Sequence, residues 1–300
     1  MAKKNEEVST VRGAKHGGIL TVIFAILSFL WIAPILIVFL NSFKRKAFIF
    51  THPFSLSCYS ITEGWDKFKA GITRAFCGWL NYSNGIRKTN LWECFGTSLF
   101  ITIGSVALII LCCSMCAWYI TRVHTKVTKT IYVLCLFSMI VPFQMVMFTL
   151  SKFANILHLS NPLGIIIVYL GFGAGLAVFM FTGFVKGISL EIEEAAMIDG
   201  CSPLQTFFKV VFPILKPTTV TVAILEAMWV WNDYLLPYLV LSSKYRTIPI
   251  AVQYLKQSHG QIDWGAMMAV LVLAILPIII FYIACQKYII EGVLAGAVKG

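Results

Sequence analysis

Few residues in this sequence have the types and spacing that chemistry requires. His16, His52, His124, His158 and His259 are isolated, and none belongs to an HExxH pair or another metal-ligand spacing. No GxxxxGK[ST] stretch occurs, so the chain lacks the loop that cradles nucleotide phosphates. Cys113-Ser-Met-Cys116 has the CxxC form, but it lies in an apolar run without a basic activator. Cysteine in such a place packs as a small hydrophobe. Other polar groups stand out by position. Gln144, Glu226, Asn232 and Asp233 interrupt long apolar runs, and polar groups there face a protein interior or a water-filled cavity. Gln144 follows Pro142, while Asn232 and Asp233 lie among Trp229, Trp231 and Tyr234. Asn232 and Asp233 have a second reading, in which they hold helices together or sit at an interface with an aromatic belt.

The other cluster is EEAAMIDGCSPLQTFFKVVFPILKP, residues 193–217. Ser189 is placed to cap a helix whose first turns carry Glu191, Glu193 and Glu194, where the helix dipole favours anions. Ile192, Ala195, Ala196 and Asp199 recur along one face, and the two alanines let another surface approach the backbone. Gly200 suits the left-handed residue that ends a helix. Ser202, Pro203 and Gln205 then form a capping-box pattern that restarts it. Phe207, Phe208, Val210, Val211 and Phe212 follow, with an interruption expected at Pro213. The segment therefore predicts a short helix, a sharp turn and a second helix. As an isolated pattern it could also be an amphipathic loop lying on a membrane.

These residues must be positioned by a greasy chain. Of 300 residues, 59% are hydrophobic and 12% charged, which is more apolar surface than one soluble core can hide. Six stretches are long enough to span a bilayer: 19–40, 96–120, 130–150, 163–185, 218–241 and 266–285. The expected fold is all-α, a polytopic membrane helix bundle of six spans with a short cytoplasmic helix between the fourth and fifth. The first span is read as a retained anchor, because it is long for a signal peptide and no A-x-A-like site follows. Apart from residues 41–95, twelve Lys and Arg fall on the side of the N-terminus and four on the other. That bias places both termini in the cytoplasm, although 41–95 itself holds eight; long loops translocate largely regardless of charge.

The expected organisation is a tail (1–18), the first span, an extracytoplasmic loop or small cap (41–95), a five-helix core (96–285) containing the polar cytoplasmic loop (186–217), and a C-terminal tail (286–300). The formal net charge of +11 is scattered over loops and ends without a basic stripe, so it points to anionic lipid and not to nucleic acid. Among Cys58, Cys77 and Cys94 one disulfide is possible, with no pairing fixed by sequence.

Glu193-Glu194-Ala195-Ala196-x-x-Asp199-Gly200, with Phe207 or Phe208, Pro213 and Pro217 downstream, resembles the EAA loop of binding-protein-dependent ATP-driven importers. Trp231-Asn232-Asp233, Pro277 and the ending Gly292-x-x-Ala295-Gly296-Ala297-Val298-Lys299-Gly300 are similar to the maltose and multi-sugar branch. Asn41-Ser42-Phe43-Lys44 and Tyr119-x-x-x-Val123 fit it too. The resemblance covers nearly the whole chain except about 45–90. It implies a permease subunit in which Glu193, Glu194, Ala195, Ala196, Asp199 and Gly200 couple to a separate ATPase, and Gly296, Lys299 and Gly300 reach that ATPase dimer. It implies a second permease, a sugar-binding protein outside, and ATP with Mg bound only by the partner. Gln144, Trp231, Asn232 and Asp233 become candidates for a sugar path, since amides, carboxylates and aromatic faces match hydroxyl-rich rings. The rival expectation is an ion-gradient-driven carrier, which calls for inverted repeats and a midplane carboxylate relay.

Overall fold

The computed structural model describes residues 17–257 and 262–297. Among them the secondary structure is helix and turn, with a lone bridge between Lys44 and Phe76. In chain order, α1 (Gly17–Ser42) leads to three short helices, α2 (Lys46–Thr51), α3 (Trp65–Ala75) and α4 (Leu80–Thr89). The bundle follows with α5 (Leu91–Arg122), α6 (Lys126–Ile140), α7 (Phe143–Ile156) and α8 (Pro162–Val185). Next come α9 (Leu190–Ile198), α10 (Pro203–Thr206), a π turn (Phe207–Val211) and α11 (Phe212–Ile214). The chain closes with α12 (Lys216–Asn232), α13 (Leu235–Val240), α14 (Ile248–Gln257) and α15 (Trp264–Ala297).

Among the described residues, four helices, α1, α5, α8 and α15, are long and apolar enough to cross a membrane unaided. The count rises to six if each of two sharply bent helix pairs makes one span. The expected straight span at 130–150 is one of these: α6 and α7 meet at 108°. Pro142 has no N–H to continue the ladder and drives Val141 to an extended conformation (φ −73°, ψ 115°), as a residue before proline prefers. The expected span at 218–241 also breaks. Helix α12 ends at Asn232, and Asp233 is extended (φ −72°, ψ 125°) before α13 begins. At its other end α12 turns 77° from the α10–α11 segment.

The core is the pair α5 and α8, whose contact is the most extensive between any two helices. Glycines bring the helices close: a Cβ at Gly104 would lie 2.5 Å from Ile166, and one at Gly173 would lie 2.6 Å from Ile109. Around the pair, Ile109, Cys113, Phe181, Val185, Phe207 and Leu215 fill one end. Ile101, Ile165, Tyr169, Val230 and Leu236 fill the middle. Leu91, Ile248, Leu255, Met267 and Val270 fill the other end. By contrast, none of the apolar stretch of α1 is buried within the chain, and its long-range packing is against α15.

Residues 41–90 fold back onto the start of α15. The Lys44 amine donates to Asn41 Oδ1 (2.9 Å) and to the His52 carbonyl (2.8 Å). Burial lowers its pKa. The Asn81 amide donates to the carbonyls of Ser42 and Lys44, each at 2.8 Å. Lys88 on α4 pairs with Asp263 before α15. The possible disulfide is not formed: Cys58, Cys77 and Cys94 are all free thiols. They donate instead to the carbonyls of Gly71, Phe43 and Thr89 respectively.

Candidate functional site

Residues 189–217 form the helix–turn–helix that the capping residues anticipate. Ser189 accepts from the Glu191 N–H at 3.3 Å and opens α9. Gly200 closes it with φ +86°. The N–H of Cys201 reaches the Ala196 carbonyl and that of Gly200 reaches Met197, each at 3.0 Å, which is the paired bond of a left-handed glycine cap. Ser202 and Gln205 then exchange capping bonds of 2.9 and 3.4 Å. Pro213 does not interrupt the second helix as expected. The turn before it widens to π form, with the Phe212 N–H bonded to Phe207 five residues back. A widened turn makes room for a proline ring that would otherwise meet the carbonyl four residues earlier.

The faces of α9 differ from the expected arrangement. Ala196 does not share the outward stripe of Ile192, Ala195 and Asp199; it is buried, as is Glu193 three residues before it. Helical spacing puts residues 193 and 196 on one side. Glu193 is 1% exposed, and its carboxylate is fully engaged by α5. Arg122 donates to Oε1 through Nε (3.0 Å) and Nη2 (2.7 Å), and Trp118 Nε1 donates to Oε2 at 2.9 Å. The same guanidinium donates to the Ile188 carbonyl at 3.0 Å, so one side chain fixes both the carboxylate and the chain entering α9. Trp118 also lies 5.5 Å from the buried ring of Phe207. The outer face carries Glu194, Ala195 and Asp199 beside Ile192, Met197 and Ile198, the last 85% exposed. That face is polar and apolar by turns.

Sequence reasoning did not find Arg122 or Trp118. Their i, i+4 spacing on the last turns of α5 marks one helix face, but nothing local links that face to an acid 71 residues onward. Of the expected tail residues, Gly296 lies in the last turn of α15, while Lys299 and Gly300 fall outside the described residues.

The four candidate path residues go to different places. Gln144 is exposed in the first turn of α7. Trp231 packs edge-on against Phe95 and borders an apolar cleft of about 550 Å³ shared with Leu99, Met228 and Pro277. Of the four, only Trp231 lines that cleft. Asn232 is exposed, with its amide returned to the Met228 carbonyl at 2.7 Å. Asp233 is held inward: Oδ2 accepts from the Tyr169 hydroxyl (3.0 Å), and Oδ1 caps the Leu235 and Leu236 N–H groups (3.0 and 3.4 Å). Its bonds are those of the helix-holding alternative.

The ends of this molecule are therefore distinct. Helix α5, about 48 Å long at 1.5 Å per residue, begins beside α4 and ends at Arg122, on the clamp of α9. A bundle of membrane-crossing and broken helices with an outward-facing, capped helix anchored at one end has the build of a multi-pass membrane protein. Residues 109–294 match the family described as binding-protein-dependent transport system inner membrane component, and the chain belongs to that family. It is 38% identical to the probable starch degradation products transport system permease protein of Thermoanaerobacterium thermosulfurigenes, over 94% of this chain and 96% of that one. It is 32% identical to a multiple sugar-binding transport system permease protein of Streptococcus mutans, over 89% and 91%. It is 31% identical to an arabinooligosaccharides transport system permease protein of Halalkalibacterium halodurans, over 94% and 96%. The fold is shared with a crystal structure of a bacterial ABC transporter involved in the import of the acidic polysaccharide alginate, at TM-score 0.69 and 22% identity, over 93% of this chain and 99% of that one. Nothing among these relatives points to an ion-gradient-driven carrier.

Proposed function

We propose that this chain is the permease subunit of an ATP-driven importer that passes a sugar or oligosaccharide into the cytoplasm by alternating access. The observation that carries the reading is α9: clamped to α5 through Glu193, yet presenting Glu194, Ala195 and Asp199 outward beside exposed Ile198. A helix fixed rigidly on one side and open on the other can hand a displacement from a docked motor to the spans. The printed functions of the relatives, which name starch degradation products, multiple sugars and arabinooligosaccharides, support the solute class.

In this reading both termini and α9 are cytoplasmic, and residues 41–90 face outside. A dimer of ATPase subunits binds ATP and Mg and hydrolyses ATP, while this chain is non-catalytic. A second permease completes the passage, and an extracytoplasmic sugar-binding protein delivers the solute. Glu194, Ala195, Asp199 and Gly200 seat the docked face, with Glu193 and Ala196 transmitting from beneath. Gly296, Lys299 and Gly300 extend toward the ATPase dimer. Gln144, Trp231 and Asn232 are the polar and aromatic groups available to the solute, and Asp233 shapes their backbone. Closure of the ATPases favours one state of the bundle only by as much as the contacts differ between states.

The test is to purify the tagged chain gently from native membranes and identify its companions, then to repeat with Glu194→Lys. We expect a nucleotide-binding ATPase and a second permease with the wild type. With the variant we expect normal insertion, loss of the ATPase and loss of sugar uptake. Normal uptake by Glu194→Lys, or a wild-type chain that runs alone, would overturn the proposal.

A further inference from the structure

At the same end of the bundle as α9, the last turn of α5, the first turn of α6 and the end of α8 enclose a cleft of about 560 Å³. Its rim carries Lys126, Lys129, Lys186 and His124. Among the described residues, no carboxylate lies within salt-bridge distance of these lysines. The neighbouring cation, Arg122, is taken by Glu193. The rim also includes the start of α6, a helix of 15 residues with no acid in its first turn, whose dipole adds positive potential there. Thr182 contributes to the cleft from α8. It is 2% exposed, and its hydroxyl has no hydrogen-bond partner, although buried hydroxyls are normally bonded. Ile120 and the ring of Tyr132 add apolar surface to the same lining.

We propose that this cleft binds one anionic glycerophospholipid. The phosphate would sit among Lys126, Lys129 and Lys186, and an ester or glycerol oxygen would meet Thr182. An acyl chain would follow Ile120 and Tyr132 into the bilayer. The arrangement fits an amphipathic anion: positive charge gathers where three membrane helices end, and apolar surface continues from it. Clusters of Lys and Arg in this position attract acidic headgroups. The inference stands apart from the identity of the transported solute, and needs only that the chain is embedded in lipid.

The test uses the importer complex purified in mild detergent, with a phosphatidylglycerol carrying a photoactivatable acyl chain as the probe. Labelled peptides are read by mass spectrometry. We expect labelling within 120–132 and little labelling by a phosphatidylcholine of the same chains. Each lysine beside an acidic headgroup is worth about fivefold, so Lys126→Gln, Lys129→Gln and Lys186→Gln together should lower binding about a hundredfold. The matching triple change to Arg should hold it near wild type, which controls for folding. Thr182→Val should weaken binding with the lysines intact. Three results would each overturn the proposal: equal labelling by phosphatidylcholine, undiminished labelling of the triple Gln variant, or labelling of a partner protein with 120–132 left unlabelled. Full displacement of the probe by millimolar inorganic phosphate would likewise reassign the cleft to a small soluble anion.

Discussion

Removing Arg122 should release α9 from the bundle while leaving the spans assembled. The Glu193 side chain is 1% exposed and that of Arg122 is 19% exposed. In Arg122→Leu the carboxylate loses both guanidinium bonds, of 3.0 and 2.7 Å, and keeps only the Trp118 donor. Breaking a buried pair from one side costs about 3–5 kcal/mol, because a charge is left without compensation. Glu193→Leu should cost less, about 2–3 kcal/mol, because the guanidinium keeps the Ile188 carbonyl and reaches water through its exposed part. The double variant should be less perturbed than Arg122→Leu alone, because no lone charge stays buried. If the loss is local, a cost of about 3–5 kcal/mol raises amide exchange in α9 about a hundred- to several-thousandfold. Hydrogen exchange of the chain in nanodiscs, read on peptides covering 190–198 and on α8 as reference, measures this. Exchange in α9 within threefold of wild type, or a Glu193→Leu effect larger than that of Arg122→Leu, would refute the reasoning.

Gly173→Ala should destabilise the bundle by about 1–3 kcal/mol, since its Cβ would lie 2.6 Å from Ile109 and 2.9 Å from Glu226 Oε2; Gly171→Ala, with open space at that point, is the control in thermal unfolding. Asp233→Ala removes two capping bonds and the Tyr169 partner, and should raise exchange in α13 with a cost of about 1–2 kcal/mol while α12 stays protected. Burial pushes the Asp263 carboxyl up, but the Lys88 bond and charge and the Ala266 N–H outweigh it and hold it below the usual range. Its stabilisation is therefore full above the unfolded value of about 4 and is lost as pH falls through the lower folded value. Protease resistance of α4 should accordingly fall below about pH 4 in the wild type, while in Asp263→Asn it should already be reduced at neutral pH and change little on acidification.

What could be read from the sequence was local or continuous. The spans of α1, α5, α8 and α15 are uninterrupted apolar runs, and the caps of α9 and α10 depend on residues within four positions of one another. The breaks were missed because Pro142 and Asp233 sit inside apolar runs that are long enough to cross as single helices. Hydropathy averages over such points, whereas backbone hydrogen bonding does not. The inward turn of Glu193 was missed for another reason. Its partner stands 71 residues away, and an acid in the first turn of a helix already has a sufficient local explanation in the dipole. Pro213 misled in the opposite sense, because a preceding π turn can absorb a proline that the sequence alone marks as a stop.

The isolation of α1 has a consequence for synthesis. Its partner within the chain is α15, which starts at Trp264, whereas α1 ends at Ser42. At about 5–20 residues per second, the ribosome needs about 10–45 s to make the intervening stretch. Throughout that time the apolar stretch of α1 must stand in the bilayer without the helix that packs along it. A helix without a charge from Gly17 to Ser42 can wait there at no electrostatic cost. Helix α1 is thus stable in lipid alone until α15 is made and closes against it.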